Sequence, residues 1–539
     1  MSDGGDETVR AWFLTSEDRG NPSTQIDERH DNGFAWTTGN TVTVHIDGAN
    51  YFRRLAEVLT DLGEGDRVWF TDWEGDADER LVEGGSEVGM VLSGLVHHGV
   101  QVRGLLWQSH PRQASFSEQD NLNLTKDVNA DHGKLVLDER VRRGGSHHQK
   151  TVIVHREGRP DVAFVGGIDL CHGRRDDAEH RGDPQAYEMD ERYGPTPAWH
   201  DIQVEIQGPA VDDVSWSFNE RWEDPYSLDG RSPFRAVRRF LTGQPRKLPA
   251  LPTEPPRSDG DGNHSVQVLR TYPFRRPPYG FAPAGERSIA RGFLQAIGRA
   301  RRLVVLEDQY LWSQAVADAL AAALDAHPDL LVVIVVPRFP DEAGLVSGAA
   351  NRQGRNRARA VIEAAGGDRV AIYDLENAEG LPIYVHAKVA LIDDVWLEVG
   401  SDNLNRRSWT HDSEMACAVI DDCHDPRDPV DPGGLGDDAR VLARDTRLAL
   451  WREHLGRDAG DDDGDLIDPS RAFDVLRTSA EALDTWVRAG RIGPRPPGQL
   501  RPHVPTPVPR WLRPIADVAY RVVVDPDGRS LAQRRAGGY

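Results

Sequence analysis

Two short phrases in this 539-residue chain carry the same chemistry: His148-Gln149-Lys150 within SHHQKTVIV, and His386-Ala387-Lys388 within VHAKVALID. Two histidines and two lysines brought to one place supply what phosphodiester cleavage needs without a metal. One neutral imidazole can attack phosphorus while the other, as imidazolium, protonates the departing alkoxide. The ammonium groups stabilise charge on the non-bridging oxygens, and water activated by the second histidine then releases the phosphohistidine. The lysines sharpen the signal. Lys126, Lys134, Lys150, Lys247 and Lys388 are the only ones, against 59 arginines, and two of them stand two residues after a histidine. A compact ammonium suits a point contact with phosphate where a planar guanidinium would not fit.

Such residues act only if the fold presents them. In HAKVALID the aliphatic and β-branched residues read as a strand, whose period of two puts His386 and Lys388 on one face and Asp393 on the other. The first copy shows the same parity for His148 and Lys150, with His155 at the place of Asp393. The elements before each motif repeat in order. Residues 47–63 read as helix, 67–73 as strand, 87–99 as helix and 100–107 as strand. Residues 286–302, 303–312, 315–327 and 330–337 answer them as helix, strand, helix and strand. Alternation of this kind implies an α/β fold with a mostly parallel sheet covered on both faces. The expected organisation is a first lobe over 1–241, a Pro- and Gly-rich linker over 242–265, a second lobe over 266–456 and an extension over 457–539. The proline-rich tail 495–514 is expected to wrap the surface without chemistry of its own.

Composition narrows the function. With 38% hydrophobic and 28% charged residues the chain reads as soluble and globular. Three cysteines without zinc spacing suggest neither a disulfide framework nor a structural zinc. The acidic start shows no secretory signal and the longest apolar runs are strand-sized, so a protein without a membrane span is expected, cytoplasmic or exported by a route that leaves no N-terminal mark. A net charge of −23 disfavours sequence-independent nucleic-acid binding, which lysine and arginine drive by releasing counterions. His97, His98 and His147 lack a third ligand at metal-binding spacing, and no metal or other cofactor is expected.

The text around the motifs resembles the phospholipase D superfamily, in which HxKxxxxD occurs twice. The second copy is complete, with His386, Lys388 and Asp393, followed by GSDNLNRRS with Ser401, Asn403 and Asn405, then HDSE with Asp412 and Glu414. The first is followed by VGGIDLCHGRRD, WHDIQVEIQGPAV and FNERW; EDQY and LWREHLG also fit, and the likeness spans roughly residues 42–456. It departs from the pattern at His155 and in a short insertion, EGRPD.

The resemblance implies two similar α/β/α sandwich lobes related by a pseudo-twofold axis, with the active site between them. It implies a phospholipase D acting on phosphatidylcholine or phosphatidylethanolamine at a membrane surface, with transfer to alcohols in many relatives, and a monomer. His148 becomes the nucleophile and His386 the acid/base, an order that the residues alone leave open. Asp201 and Glu414, with Asp412 competing, are candidates to hold the far imidazole nitrogens. Ser401 and Asn403 would donate to phosphate, and Gly166 and Gly167 would let backbone approach it. Trp199, Tyr310, Tyr384 and Trp409 are either a cation–π cage for choline or plain core, and RTYPFRRPPYGF (270–281) is either the lining of a headgroup or lipid entrance or, as the preferred reading, packing. Rival readings are a nuclease or a cardiolipin-synthase-like transferase, and a relative that binds lipid without turnover.

Overall fold

The computed structural model describes residues 4–30, 33–108, 118–186, 189–226, 228, 233–245, 247–251, 260–341, 345–458 and 460–539. In the first half the strands are β1 (Thr37–Ile46), β2 (Arg67–Asp72), β3 (Gln101–Trp107), β4 (Lys134–Asp138), β5 (Thr151–His155), β6 (Val162–Gly166), β7 (Ala198–His200) and β8 (Ile202–Gln207). The second half has β9 (His264–Tyr272), β10 (Glu286–Arg287), β11 (Leu303–Asp308), β12 (Leu331–Val335), β13 (Val370–Glu376), β14 (Pro382–Val385), β15 (Lys388–Ile392), β16 (Trp396–Gly400), β17 (Glu414–Asp421) and β18 (Leu500–Pro502). The pairings give the order 1-8-6-5-2-3-4 in the first sheet and 9-17-16-15-11-12-13 in the second. Strand for strand, the second sheet repeats the first.

The period of two in each strand divides the apolar side chains between two cores. Trp69 and Ile153 of the first sheet and Val305 and Leu391 of the second join one cluster shared by the two lobes. Val68, Phe70 and Val152 face the first lobe's outer helices. Val304, Leu306 and Ala390 face those of the second. The shared cluster also takes in the helices Ala210–Trp222 and Val441–His454. The lobes are therefore two α/β/α sandwiches welded along inner faces, as expected. The sheets, however, are not mostly parallel: only 2-3-4 and 11-12-13 run parallel, and the remaining pairs of each order are antiparallel, because hairpins rather than helical crossovers join the strands that follow each motif.

The expected linear partition is less simple in space. Val9, Trp12, Phe13 and Trp36 pack in the outer core of the second lobe, and β18 adds to β13, so both chain ends serve the second lobe. Of the expected linker, residues 264–265 already belong to β9, Trp222 Nε1 donates to the Pro249 carbonyl, and 246 and 252–259 lie outside the described residues.

Candidate active site between the lobes

Each HxK segment is held by the opposite lobe. The His148 N–H donates to the Ser413 carbonyl at 2.9 Å, and the Ser413 N–H to the Ser146 carbonyl at 3.0 Å. On the other side β14 runs parallel to β7, and the N–H groups of His386 and Ala387 both donate to the His200 carbonyl. The two histidines thus enter at the seam. His148 Nδ1 lies 2.8 Å from Glu414 Oε2, and His386 Nδ1 lies 2.7 Å from Asp201 Oδ2. The two carboxylates are equivalent in the repeated fold: Gly166 pairs with Gln203 and Gly400 with Ala416, each partner two residues beyond its carboxylate. An imidazole whose Nδ1–H is fixed on a carboxylate presents Nε2 to the cleft. Asp412 is not a competitor, since it accepts from the Ser146 N–H and from Arg407.

The lysines repeat one gesture as well. Lys150 Nζ donates to the His148 carbonyl at 3.1 Å, and Lys388 Nζ donates to the His386 carbonyl. Lys150 also pairs with Asp169 Oδ1 at 3.4 Å. Lys150, Arg174 and His386 all act on the Asp169 carboxyl and hold it well below its usual range against burial. Burial pushes the Lys388 ammonium down to about 8, with Asp201 opposing and Lys150 assisting. Burial, with Lys388, pushes His386 down to about 3 against the pull of Asp201. His386 is therefore neutral at rest. These mutual influences put both motifs in one electrostatic cluster.

Ser401 and the glycines differ from expectation. Ser401 Oγ donates to Glu414 Oε2 at 2.6 Å, the same oxygen that meets His148, so it orients that carboxylate. At the equivalent position Gly167 carries no side chain, and a Cβ there would stand 2.2 Å from Asp201 Oδ1. Gly166 likewise makes room for Gln203, whose Oε1 would meet its Cβ at 2.4 Å. The close approach is by neighbouring protein. Asn403 is buried beside them, its Oδ1 without a hydrogen-bond partner.

Asp393 lies away from the imidazoles. Its carboxylate accepts the backbone N–H groups of Arg301, Arg302 and Leu303 at 2.7, 2.8 and 2.7 Å. His386 precedes β15, and Asp393 sits in the β15–β16 turn with φ +53°. The turn, rather than uninterrupted strand parity, decides its direction. In the first lobe His155 instead pairs with Asp161 at 2.7 Å and meets Ser215 at 3.1 Å. The strand-start tie passes to Asp66, which accepts from the N–H groups of Gly63 and Glu157.

A family model described as Phospholipase D matches residues 87–272 and 350–490. The chain belongs to the phospholipase D family. Among its relatives, phospholipase D alpha 2 of Oryza sativa subsp. japonica is 25% identical over 519 residues, covering 72% of this chain and 62% of that one. Phospholipase D alpha 1 of Zea mays is 25% identical over 541 residues, covering 76% and 64%. The chain thus spans somewhat under two thirds of the length of these relatives. The crystal structure of a phosphatidylserine synthase from Haemophilus influenzae Rd KW20 superposes with TM-score 0.47 at 14% identity, over 70% of this chain and 82% of that one.

For this phospholipase D-family chain, sequence reasoning passed over several residues at the seam. Asp169 was legible in principle: aligning VGGID with VGSDN puts it opposite Asn403. Asp72 and Asp308 form another hidden pair, accepting the N–H of Leu170 and Leu404 at 2.9 and 2.8 Å. Beneath the imidazoles, His200 bridges Asp47 at 3.0 Å, Glu307 at 2.8 Å and Glu453 at 3.1 Å, while His180 lies 3.2 Å from Glu453. The donor atoms of Asp47, His180, His200 and Glu453 all lie within 4.8 Å of one another, close enough to hold a metal ion. His200 Nε2 on Glu307 and His180 Nδ1 on the Trp199 carbonyl, at 3.1 Å, would orient both rings for it. Only the fold brings Glu453 to the other three.

The four aromatics do not form one cage. Trp199 lies against Tyr384 and His386, with ring centroids 4.9 Å apart in both cases, and Arg174 already covers it at 4.1 Å. Tyr310 stacks on Trp312, and Trp409 is buried against Phe293. Residues 270–281 pack as expected: Tyr272, Tyr279 and Phe281 form a buried cluster. It reaches the motif where Gln149 Nε2 donates to the Tyr272 hydroxyl. Beyond Tyr384 a small cavity of about 20 Å³ is lined by Arg192, Arg338, Arg352 and Arg355, and among the described residues none of its lining is Asp or Glu. Arg355 spends its donors on the carbonyls of Gln309, Tyr310 and Pro337.

Proposed function

We propose that this chain is a phospholipase D that hydrolyses the distal phosphodiester of glycerophospholipids through a phosphohistidine, with transfer to alcohols as a second outlet. The reading is carried by the crossed pairs His148–Glu414 and His386–Asp201, two imidazoles oriented by carboxylates across one seam. His148 attacks phosphorus, His386 protonates the leaving alkoxide and then activates water, and Lys150 and Lys388 hold the non-bridging oxygens. Phosphatidylcholine and phosphatidylethanolamine are the proposed substrates.

One observation favours the reverse order of histidines. His386 rests neutral, pushed down to about 3 by burial, the form a nucleophile needs. Trapping the phosphoenzyme and locating the modified peptide assigns the nucleophile. The decisive assay follows headgroup release from a panel of phospholipids, with ethanol present to reveal transfer. Release that survives His148→Ala or His386→Ala rejects the mechanism, and hydrolysis of DNA in place of lipid rejects the substrate class.

A further inference from the structure

The C-terminal segment carries two apolar stripes at helical spacing where folding needs one. Val508, Leu512, Ala516 and Tyr520, four residues apart, are buried; the first three pack with Ala349, and Tyr520 packs with Trp312 and Ala350. Trp511, Ile515, Val518 and Val522, at i, i+4, i+7 and i+11, point outward with 67, 53, 64 and 67% exposure. An inner stripe is what holds a surface helix to its domain; a second, left in water, marks a contact surface. Exposed Arg510, Arg513 and Arg521 flank it, and the only acidic residue in 504–523 is Asp517, which pairs with Arg357 at 2.7 Å. That is a cationic, apolar strip on a chain of net charge −23.

Its position is tied to the seam. Arg407 donates to the Val523 carbonyl at 3.1 Å, to the Gly144 carbonyl at 2.7 Å and to Asp412, which accepts from the Ser146 N–H. The strip is thus fastened to the loop that delivers His148. The first lobe offers a counterpart on the helix Pro233–Leu241, where Val237, Phe240 and Leu241 are 57, 81 and 76% exposed. Arg239 of that helix donates to the Leu137 carbonyl and to Gln108, at the ends of β4 and β3. The parallel neighbour β2 places its own end, at Thr71, against Thr151, next to Lys150. Both strips therefore lie at the end of the sheets where the motifs emerge.

We propose that these two strips dock the protein on a phospholipid bilayer, apolar side chains entering the boundary between headgroups and acyl chains and the arginines lying among lipid phosphates. The proposal rests on the reading that the substrate is a phospholipid. Two separate strips beside one cleft, one rimmed with arginine and tryptophan, fit a continuous lipid surface better than a second copy of this acidic chain.

The full chain is tested by co-sedimentation with vesicles of phosphatidylcholine, and of phosphatidylcholine mixed with phosphatidylglycerol, against Ile515→Glu/Val522→Glu and Phe240→Glu/Leu241→Glu. The milder Ile515→Ser/Val522→Ser serves if the glutamates impair folding. Wild type is expected to sediment with both, more strongly with the anionic mixture. The charge variants should lose at least about tenfold in partitioning and in turnover of vesicle lipid, yet stay within about twofold on dispersed short-chain phosphatidylcholine. Wild type that ignores vesicles, variants that sediment undiminished, or a wild-type dimer that the variants dissociate would overturn the docking surface. Vesicle binding by a wild type inactive on both lipid forms would uphold docking and refute the proposed activity.

Discussion

Each proposed catalytic side chain is defined by what sits behind it. Asp201 and Glu414 fix the imidazoles from the opposite lobe, so Asp201→Asn or Glu414→Gln should keep the fold and lower turnover by roughly 10²- to 10⁴-fold, as when the carboxylate behind a catalytic histidine is lost. Steady-state kinetics beside an unchanged thermal melt is the check. Lys388 gives a pH prediction. Its ammonium, pushed down to about 8, is charged below that pH and loses its proton above it. The proposed phosphate contact would then be lost, and kcat/KM should fall about tenfold per unit on the alkaline side. Lys388→Arg, which cannot titrate there, should lower the plateau and abolish that limb. A profile still flat at pH 9.5 in the native enzyme would count against an essential Lys388 ammonium depressed to about 8.

At the scale of the element, the repeated motif's last residue fastens strands. Asp393 closes the start of β11 onto the β15–β16 turn through three N–H groups. Asp393→Ala should cost about 2–4 kcal/mol of stability by leaving buried donors unpaired, with little change in kcat. His155 fills the equivalent place beside Asp161. His155→Asp, which would restore the repeated pattern, sets two carboxylates together and should destabilise by about 1–3 kcal/mol without changing turnover. Denaturant unfolding of both variants beside kinetics separates the two effects. The sequence made the elements legible because their signals are local. The helix expected over 47–63 runs from Gly48 to Thr60, and the strand expected over 303–312 from Leu303 to Asp308. Strand parity put Asp393 away from His386, as found, but the positive-φ turn after β15 sets its direction, and His386 itself precedes that strand.

Across the whole molecule, buried charge couples the lobes. His200 stands between Asp47 and the second-lobe residues Glu307 and Glu453, and its carbonyl receives the N–H groups of His386 and Ala387. His200→Leu should cost about 3–5 kcal/mol by stranding buried carboxylates, and should lower activity together with stability because the imidazole's ion pairs hold in place the backbone whose carbonyl receives the His386 and Ala387 N–H groups. Calorimetry and kinetics on one preparation test that linkage. Among the described residues no helix is long and apolar enough to cross a membrane.

The sequence by itself determined the duplicated order of helices and strands, the two HxK motifs and the family, because alternation of apolar residues and short motifs are properties of neighbours along the chain. It also supplied both orienting carboxylates as candidates. Only the tertiary structure decided that each serves the histidine of the other half, that Ser401 and Gly167 serve the carboxylates, and that Glu453 joins His200 beneath the seam. Those relations are set where two sheets meet across a shared apolar core, between residues hundreds of positions apart, and no local periodicity encodes them.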